Sequence, residues 1–331
     1  DDFTINLGVS NKIKKLFNKD FIPNLYIYGP AGSGKYSLFL KNLACFTKEK
    51  EIKIHFKTIN ISNQWAQIKE IIIPSSEYHF EINLSKYANN RNNLFSIIDT
   101  ITDSREINGK LDFKIILIRN IHIASKEFVK FIKQKAETLS EYVRFVCIGK
   151  TNSNNASSLN GVFFNLRVNL PCKEEIKKLI MTLKKNKNFK YSKRDLNKID
   201  LDNLINENNN NLNLIFTKLE LLLLNNNFYK TRLEITNEKI CKLLIDKKLS
   251  NLFEIRELLY DYQTNNEDIN YLLKKMLDYF LNNQLLNENK KFKLVSIIAN
   301  TSHNLNNSYK EIVHIENLFF EIFSLIHMTS T

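Results

Sequence analysis

The chain has 331 residues, a net charge of +13, 43% hydrophobic residues and 25% charged residues. This globular composition and length predict two or three domains, and no apolar run is long enough to span a bilayer, so we expect no membrane partner. The basic excess favours an anionic partner, nucleic acid above all, although the abundance of Lys and Asn also follows from an AT-rich genome.

The four cysteines are far apart and form neither a CxxC pair nor a zinc spacing, so we expect no metal site. We expect reduced, buried thiols, as suits an intracellular protein. Because the chain begins at Asp1, we also expect trimming or processing at its N-terminus.

A helix is predicted from about Ser10 to Asn18, and a short apolar strand then ends at Tyr28. The glycines and lysine that follow have the Walker A spacing, G-x-x-x-x-G-K, ahead of a helical pattern. Such a loop directs backbone N–H groups and a helix N-terminus at phosphate oxygens. The predicted nucleotide-binding residues are Gly29, Pro30, Ala31, Gly32, Ser33, Gly34, Lys35, Tyr36 and Ser37.

One position departs from the Walker A pattern. Tyr36 stands where a Ser or Thr hydroxyl should hold Mg²⁺, and Ser37 begins about 100° further round the helix. A phenol is too long to bind Mg²⁺ from this position. We therefore expect the loop to hold ATP or ADP as a structural ligand or to bind nothing, and we expect it to hold Mg²⁺ poorly.

Apolar patterns predict alternating strands and helices up to residue 171. We interpret the segment containing Trp65, Ile71–Ile73 and Pro74 as a connector, and we expect a parallel sheet covered on both faces. The predicted strands are 52–59, 78–82, 113–118, 143–148 and 162–170, and the predicted helices are 91–103 and 125–140.

A working P-loop ATPase needs an acid after a second strand, to orient Mg²⁺ and to polarise the attacking water. The matching strand here, Lys114–Ile118, is followed by Arg119-Asn120-Ile121-His122, which contains no carboxylate. Together with Tyr36, this segment argues against hydrolysis, and we predict no catalytic residue in the chain.

Three lysines of helix 125–140, Lys126, Lys130 and Lys133, share one side at i, i+4 and i+7. Such a row could follow a DNA phosphate backbone. Spacing alone favours the simpler interpretation, a solvated helix face.

After Pro171 only helical patterns remain, so we place a domain boundary there. The run Asn208–Asn211 is expected to be a loop or a frayed helix start. The last helix, about 308–327, carries an apolar stripe that is ordinarily core but could pack against neighbouring subunits. The stripe consists of Ile312, Ile315, Phe319, Ile322 and Ile326.

In this order, these pieces resemble the small subunits of the eukaryotic clamp loader, replication factor C, and most of all its terminal subunit, of the 3/5 type. The resemblance rests on Asn24 to Lys35, Tyr78 to Ser85, Phe113 to Ile118, Arg167 to Ile176 and Tyr309 to Glu316. It implies an α/β fold in which an AAA+ P-loop module precedes an all-helical lid and an all-helical collar. The expected domains are 1–171, 172–228 and 229–331.

The resemblance also implies partners: the other AAA+ subunits of a hetero-pentamer, a sliding clamp and primer-template DNA. Residues 91–103 would face the clamp, with Leu94, Phe95 and Ile98 as contacts, whereas spacing alone makes these residues core. The family's arginine finger is replaced by Val162, and the lid arginine that senses nucleotide by Asn213.

We therefore expect a catalytically degenerate clamp-loader subunit, in the nucleus or a viral replication compartment. The alternative is a self-sufficient AAA+ ATPase acting on DNA, such as a helicase loader or recombination motor. That ATPase would need a metal-holding acid from elsewhere, such as Asp112 or Glu127. A bacterial-type silent loader subunit is a third interpretation, but that type carries a four-cysteine zinc module.

Overall fold

The structure is a computed structural model, and it forms two compact units, residues 1–226 and 227–331. None of the helices it describes is long and apolar enough to cross a membrane. The described residues are 5–17, 21–62, 68–87, 91–103, 111–150, 156–185, 200–225, 232–246, 248, 250–264, 269–282, 286–307 and 311–327.

The described part of the first unit contains a seven-stranded sheet in the order β2-β3-β4-β5-β6-β1-β7. Strands β4, β5, β6, β1 and β7 are parallel, while β3 pairs antiparallel with both β2 and β4. The strands are β1 Leu25–Tyr28, β2 His55–Ser62, β3 Ile68–Ser75, β4 His79–Asn83, β5 Lys114–Arg119, β6 Val143–Gly149 and β7 Phe164–Arg167.

Helices cover both faces of this sheet, because its central strands are apolar on both sides. In β5, Ile115 and Leu117 pack with the cluster that contains helices α1 and α2, while Ile116 and Ile118 pack with α3 and α4. The helices of the first unit are α1 Leu7–Leu16, α2 Lys35–Thr47, α3 Arg91–Asp103, α4 Lys126–Thr138, α5 Lys173–Lys185, α6 Leu201–Glu207 and α7 Leu212–Asn225.

The prediction of a connector at Ile71–Ile73 is wrong. This segment belongs to β3, which forms an antiparallel hairpin with β2, and Thr58 lies opposite Ile72. An unbroken run of isoleucines hides the alternation that the fold imposes, in which Ile73 is buried and Ile72 exposed. Trp65 lies outside the described residues.

The other differences are smaller. Strand β2 begins three residues later than predicted, since Ile52 is buried outside the strand, and α1 begins at Leu7 rather than Ser10. Cys45 and Cys172 are exposed, so the expectation of four buried thiols is wrong.

Helix α3 corrects the prediction of a clamp-contacting face. Leu94 and Ile98 are buried in the core between sheet and helices, and Phe95 is half-buried, with its ring 5.0 Å from that of Phe131 and 5.5 Å from that of Phe128. The apolar spacing of α3 therefore serves the fold, as spacing alone indicates. Leu94 and Ile98 are too buried to contact a clamp, and a contact by Phe95 stays a prediction.

Helices α5, α6 and α7 share a separate apolar cluster that includes Ile176, Ile205 and Ile215. Between α6 and α7 the chain turns at the asparagine run, where Asn209 and Asn210 adopt the left-handed conformation that Asn tolerates. The run is thus a loop, as predicted.

The described part of the second unit is helical. The terminal stripe packs into its core, with Ile315, Phe319 and Ile322 fully buried and Ile312 and Ile326 half-buried. The α/β class with a helical C-terminal region is confirmed. The helices are α8 Arg232–Ile245, α9 Asn251–Thr264, α10 Ile269–Asn282, α11 Glu288–Asn307 and α12 Glu311–His327.

Candidate functional site

The glycine-rich loop lies where β1, an interior strand of the sheet, meets α2, at the carboxyl edge of the parallel strands. This edge is the usual binding crevice of open α/β sheets. Gly29 has φ +149°, and a Cβ on it would lie 2.0 Å from the carbonyl oxygen of Val168. Only glycine therefore fits the point where the loop leaves β1.

Lys35 is buried at the centre of the loop. Its ammonium donates to the carbonyl oxygens of Gly29 at 2.8 Å and Pro30 at 2.6 Å, and to the hydroxyl of Ser33 at 3.1 Å. Burial, with a smaller contribution from the charge of Lys150, lowers the pKa of Lys35 to about 8. The loop thus holds a destabilised positive charge that a nearby anion would stabilise.

The start of α7 lies against this loop. The backbone N–H of Leu212 donates to the carbonyl oxygen of Gly32 at 3.0 Å, and a Cβ on Gly32 would lie 1.9 Å from Oδ1 of Asn211. Asn211 also accepts from the N–H groups of Asn213 and Leu214, so it caps α7. Sequence reasoning missed Asn211 as a site residue, although Asn before an apolar helical run is a typical N-cap signal.

A second cover comes from the N-terminal segment. The side-chain amide of Asn6 donates to the carbonyl oxygens of Ser33 at 3.4 Å and Asn169 at 3.1 Å, and its backbone N–H donates to Glu175 at 3.3 Å. Asn6 thereby joins the loop to the segment that leads from β7 into α5. The sequence contains no signal for this contact, because it links residues more than a hundred positions apart.

The two positions that would hold Mg²⁺ in a working P-loop ATPase meet in the structure. Arg119, the last residue of β5, lies over the ring of Tyr36, with its guanidinium carbon 4.3 Å from the ring centroid. Glu81 of β4 accepts from the Tyr36 hydroxyl at 2.8 Å and from Nη1 of Arg119 at 2.6 Å. Sequence reasoning missed Glu81, which stands on a neighbouring strand.

The electrostatics of this cluster follow from its burial. Burial, and then the hydrogen bond to Glu81, raises the pKa of Tyr36, so the phenol keeps its proton and remains a donor. The side chain of Glu81 is 4% exposed and that of Arg119 is 35% exposed. The cluster is thus a partly buried ion pair with an aromatic ring stacked on its cation.

The loop residues fit a nucleotide polyphosphate, because Lys35 and the N-terminus of α2 present positive charge at one point. Mg²⁺ does not fit. Its two usual ligand positions hold a phenol and a guanidinium, and the nearest carboxylate, Glu81, is bonded to both. Ser37 is exposed on the first turn of α2.

The polar residues that follow Arg119 make structural hydrogen bonds. The Asn120 amide donates to Asn83 and to the Ser85 hydroxyl, each at 2.9 Å, and His122 accepts from the backbone N–H of Lys150. Asp112 precedes β5, so the length of that six-residue strand, roughly 20 Å, separates it from the carboxyl edge.

Helix α4 places its three predicted DNA-contacting lysines away from the core. Lys126 and Lys130 are exposed and Lys133 is half-exposed, whereas Phe128, Val129, Ile132 and Ala136 of the same helix are buried. The solvated-face interpretation thus describes the isolated chain, and contact with DNA remains a prediction. Val162, which the resemblance aligns with the family's arginine finger, packs half-buried against the core.

No protein-family model matches the chain. Replication factor C subunit 5 of Oryza sativa is 26% identical over 196 residues, which cover 57% of this chain and 55% of that protein. A putative replication factor C small subunit of Acanthamoeba polyphaga mimivirus is 27% identical and covers 83% of this chain and 76% of that protein.

Among solved structures, a DNA polymerase III gamma subunit-related protein of Thermotoga maritima aligns over 96% of this chain and 99% of its own, with a TM-score of 0.43 and 15% identity. The chain spans about half the length of the plant subunits that it matches. The similar plant, animal, fungal and viral proteins are all named as replication factor C subunits. The sequence of the chain is therefore similar to those of replication factor C subunits 3 and 5.

Proposed function

We propose that this chain is a non-catalytic AAA+ subunit of a hetero-pentameric clamp loader, which helps to load a sliding clamp onto primer-template DNA. Its place of action would be the nucleus or a viral replication compartment. The replication factor C relatives support the assembly role. The observation that carries the non-catalytic role is the Tyr36–Glu81–Arg119 cluster at the position where hydrolysis needs a metal.

Hydrolysis of ATP requires Mg²⁺ to neutralise charge on the phosphates and an acid to orient the attacking water. The cluster has no ligand position for Mg²⁺, and its carboxylate, Glu81, is hydrogen-bonded to Tyr36 and Arg119. Asp112 lies at the opposite end of β5, which disfavours the self-sufficient ATPase. We expect the purified chain to show only background ATP turnover, with Lys35→Ala giving the same background. Turnover that is abolished by Lys35→Ala would overturn the proposal.

The assembly role is tested by purifying the tagged chain from native cells and weighing the intact complex by native mass spectrometry. Four other AAA+ subunits in one five-part assembly are expected. A chain that runs alone, or as a ring of itself, would contradict the clamp-loader role and return attention to the ATPase alternative.

We further propose that the lysine row of α4 contacts the DNA backbone. Replacing Lys126, Lys130 and Lys133 by Gln should lower the affinity of the assembled loader for DNA and reduce the slope of log affinity against log salt by about 2 to 3. The measurement is a fluorescence anisotropy titration at several salt concentrations.

The matched control replaces Lys12, Lys14 and Lys15, three exposed lysines of α1, by Gln. It removes the same charge from another helix and should change the slope by much less. Equal slopes for the two triple variants would mean that α4 contributes only its share of the overall charge.

A further inference from the structure

The cluster of Tyr36, Glu81 and Arg119 is a matched replacement rather than two unrelated losses. Residue 36 follows the loop lysine and residue 119 ends β5, 83 positions further along the chain. In a P-loop ATPase, a hydroxyl and a carboxylate at these places share one Mg²⁺. In this chain a phenol and a guanidinium occupy these places, and the guanidinium carbon of Arg119 lies 4.3 Å from the ring centroid of Tyr36.

Charge at this point excludes a divalent cation. Mg²⁺ needs oxygen ligands in near-octahedral geometry at close range. Glu81, the carboxylate of the cluster, already accepts a hydrogen bond from Tyr36 and one from Arg119, and its side chain is 4% exposed. A bound Mg²⁺ would have to displace both donors and lie beside the guanidinium, which repels it.

The same edge of the sheet is rich in fixed positive charge. Lys35 lies in the loop, and its pKa is lowered first by burial and then by the charge of Lys150, which follows β6. Arg119 ends the adjacent strand β5. Lys86 lines the cavity of about 230 Å³ beside the cluster together with Glu81. Arg119 and Lys86 therefore lie beside Glu81, while Lys35 and Lys150 add positive charge next to the loop.

We propose that the loop binds its nucleotide as the free polyphosphate anion, without Mg²⁺, and that the charge normally supplied by the metal comes from Arg119 and the neighbouring lysines. Glu81 and Tyr36 act as positioning residues that hold the guanidinium at the end of β5. This inference rests on nucleotide binding by the loop, but it does not depend on the clamp-loader assembly.

The test is a calorimetric titration of the full chain with ADP and with ATP, once in EDTA and once in excess MgCl₂. Binding in EDTA should be at least as tight as binding in MgCl₂. Binding that is tighter with Mg²⁺ by about tenfold or more, a difference of about 1.4 kcal/mol, would overturn the inference and leave nucleotide binding intact.

No binding under either condition would overturn the inference and would mean that the loop holds no nucleotide. The assembly itself would remain testable by native mass spectrometry, so the two failures are distinguishable.

Two variants sharpen the test. Arg119→Gln should weaken ADP binding in EDTA by about tenfold, while Lys14→Gln, at an exposed position of α1, is the charge-matched control and should leave it unchanged. Unchanged ADP binding by Arg119→Gln, with its circular dichroism spectrum intact, would contradict the role of the guanidinium.

The reverse replacement, Tyr36→Thr with Arg119→Asp, restores the hydroxyl and the carboxylate. Its ADP binding should become tighter in MgCl₂ than in EDTA. A folded double variant that binds ADP as tightly in EDTA as in MgCl₂ would show that these two positions do not determine the metal dependence of binding. That result would overturn the inference.

Discussion

Two neighbouring regions at the carboxyl edge of the sheet carry different functional groups. The phosphate loop keeps its glycines and its buried Lys35, and the start of α7 packs against it. The ends of β4 and β5, where the metal and the catalytic acid would act, carry instead an ion pair stacked on Tyr36. The contrast indicates that the geometry for binding a phosphate persists where the groups for cleaving one are absent.

The largest effect is expected in the loop. Gly29→Ala should destabilise the first unit by about 3 kcal/mol or more, because its Cβ would overlap the Val168 carbonyl and its φ of +149° disfavours any side chain. Urea unfolding measures the loss. Gly8→Ala, in α1 with no atom within 4 Å of the new Cβ, is the control and should stabilise by about 0.5 to 1 kcal/mol.

Similar losses for the two glycine variants would mean that the loop has no special backbone requirement. That result would remove the distinction between a specific phosphate-loop geometry and ordinary packing at this edge.

The region around β4 should make the stability of the fold sensitive to acid. Burial lowers the pKa of His79 to about 4 from its usual 6.5; the charge of Glu81 opposes this shift and that of His55 adds to it. Between pH 6.5 and pH 4, His79 is therefore protonated in the unfolded chain but neutral in the folded one. The free energy of unfolding is highest above pH 6.5 and falls as the pH drops towards 4. The loss should reach about 3 kcal/mol, or about 1.4 kcal/mol per pKa unit.

Unfolding midpoints measured between these two pH values check this prediction. The variant His79→Gln lacks the titrating group and should show a flatter acid dependence than the wild type. An identical dependence in both proteins would assign the acid sensitivity to other groups.

The cluster itself should contribute less. Tyr36→Phe keeps the ring under Arg119 but removes the hydroxyl that donates to Glu81 at 2.8 Å, and should cost about 1.5 kcal/mol, as for a hydrogen bond to a charged group. Tyr142→Phe, at a 64% exposed tyrosine, is the control and should change stability by less than about 0.5 kcal/mol. Equal values would show that the hydroxyl adds nothing.

The smallest effect concerns the loop charge. Because the pKa of Lys35 is lowered to about 8, the free protein loses this charge above that pH, and its affinity for ADP should fall about tenfold per pH unit. Titrations of ADP in EDTA measure the profile. Lys35→Arg, whose guanidinium stays charged, should bind with little pH dependence in this range; a profile as steep as that of the wild type would exclude Lys35 as its source.

Much of the fold was predictable because it depends on local periodicity. Strand β5 reads as a buried parallel strand, and α3 and α4 as amphipathic helices, and all three appear within one or two residues of their predicted bounds. Strand β3 was not predictable in this way. Its hydrogen bonds come from β2 and β4, so its identity depends on partners that no local pattern names.

The residues of the candidate site likewise divide into those with a local sequence signal and those without one. Glycine spacing and Lys35 by themselves determined the phosphate loop, and Tyr36 and Arg119 marked the missing metal ligands, since these signals lie within single short segments. Only the tertiary structure decided that Glu81 joins Tyr36 and Arg119, across 45 and 38 positions, and that Asn211 lies against Gly32. Such contacts arise from the order in which strands pair and helices pack, which brings distant residues together without any local sequence signal.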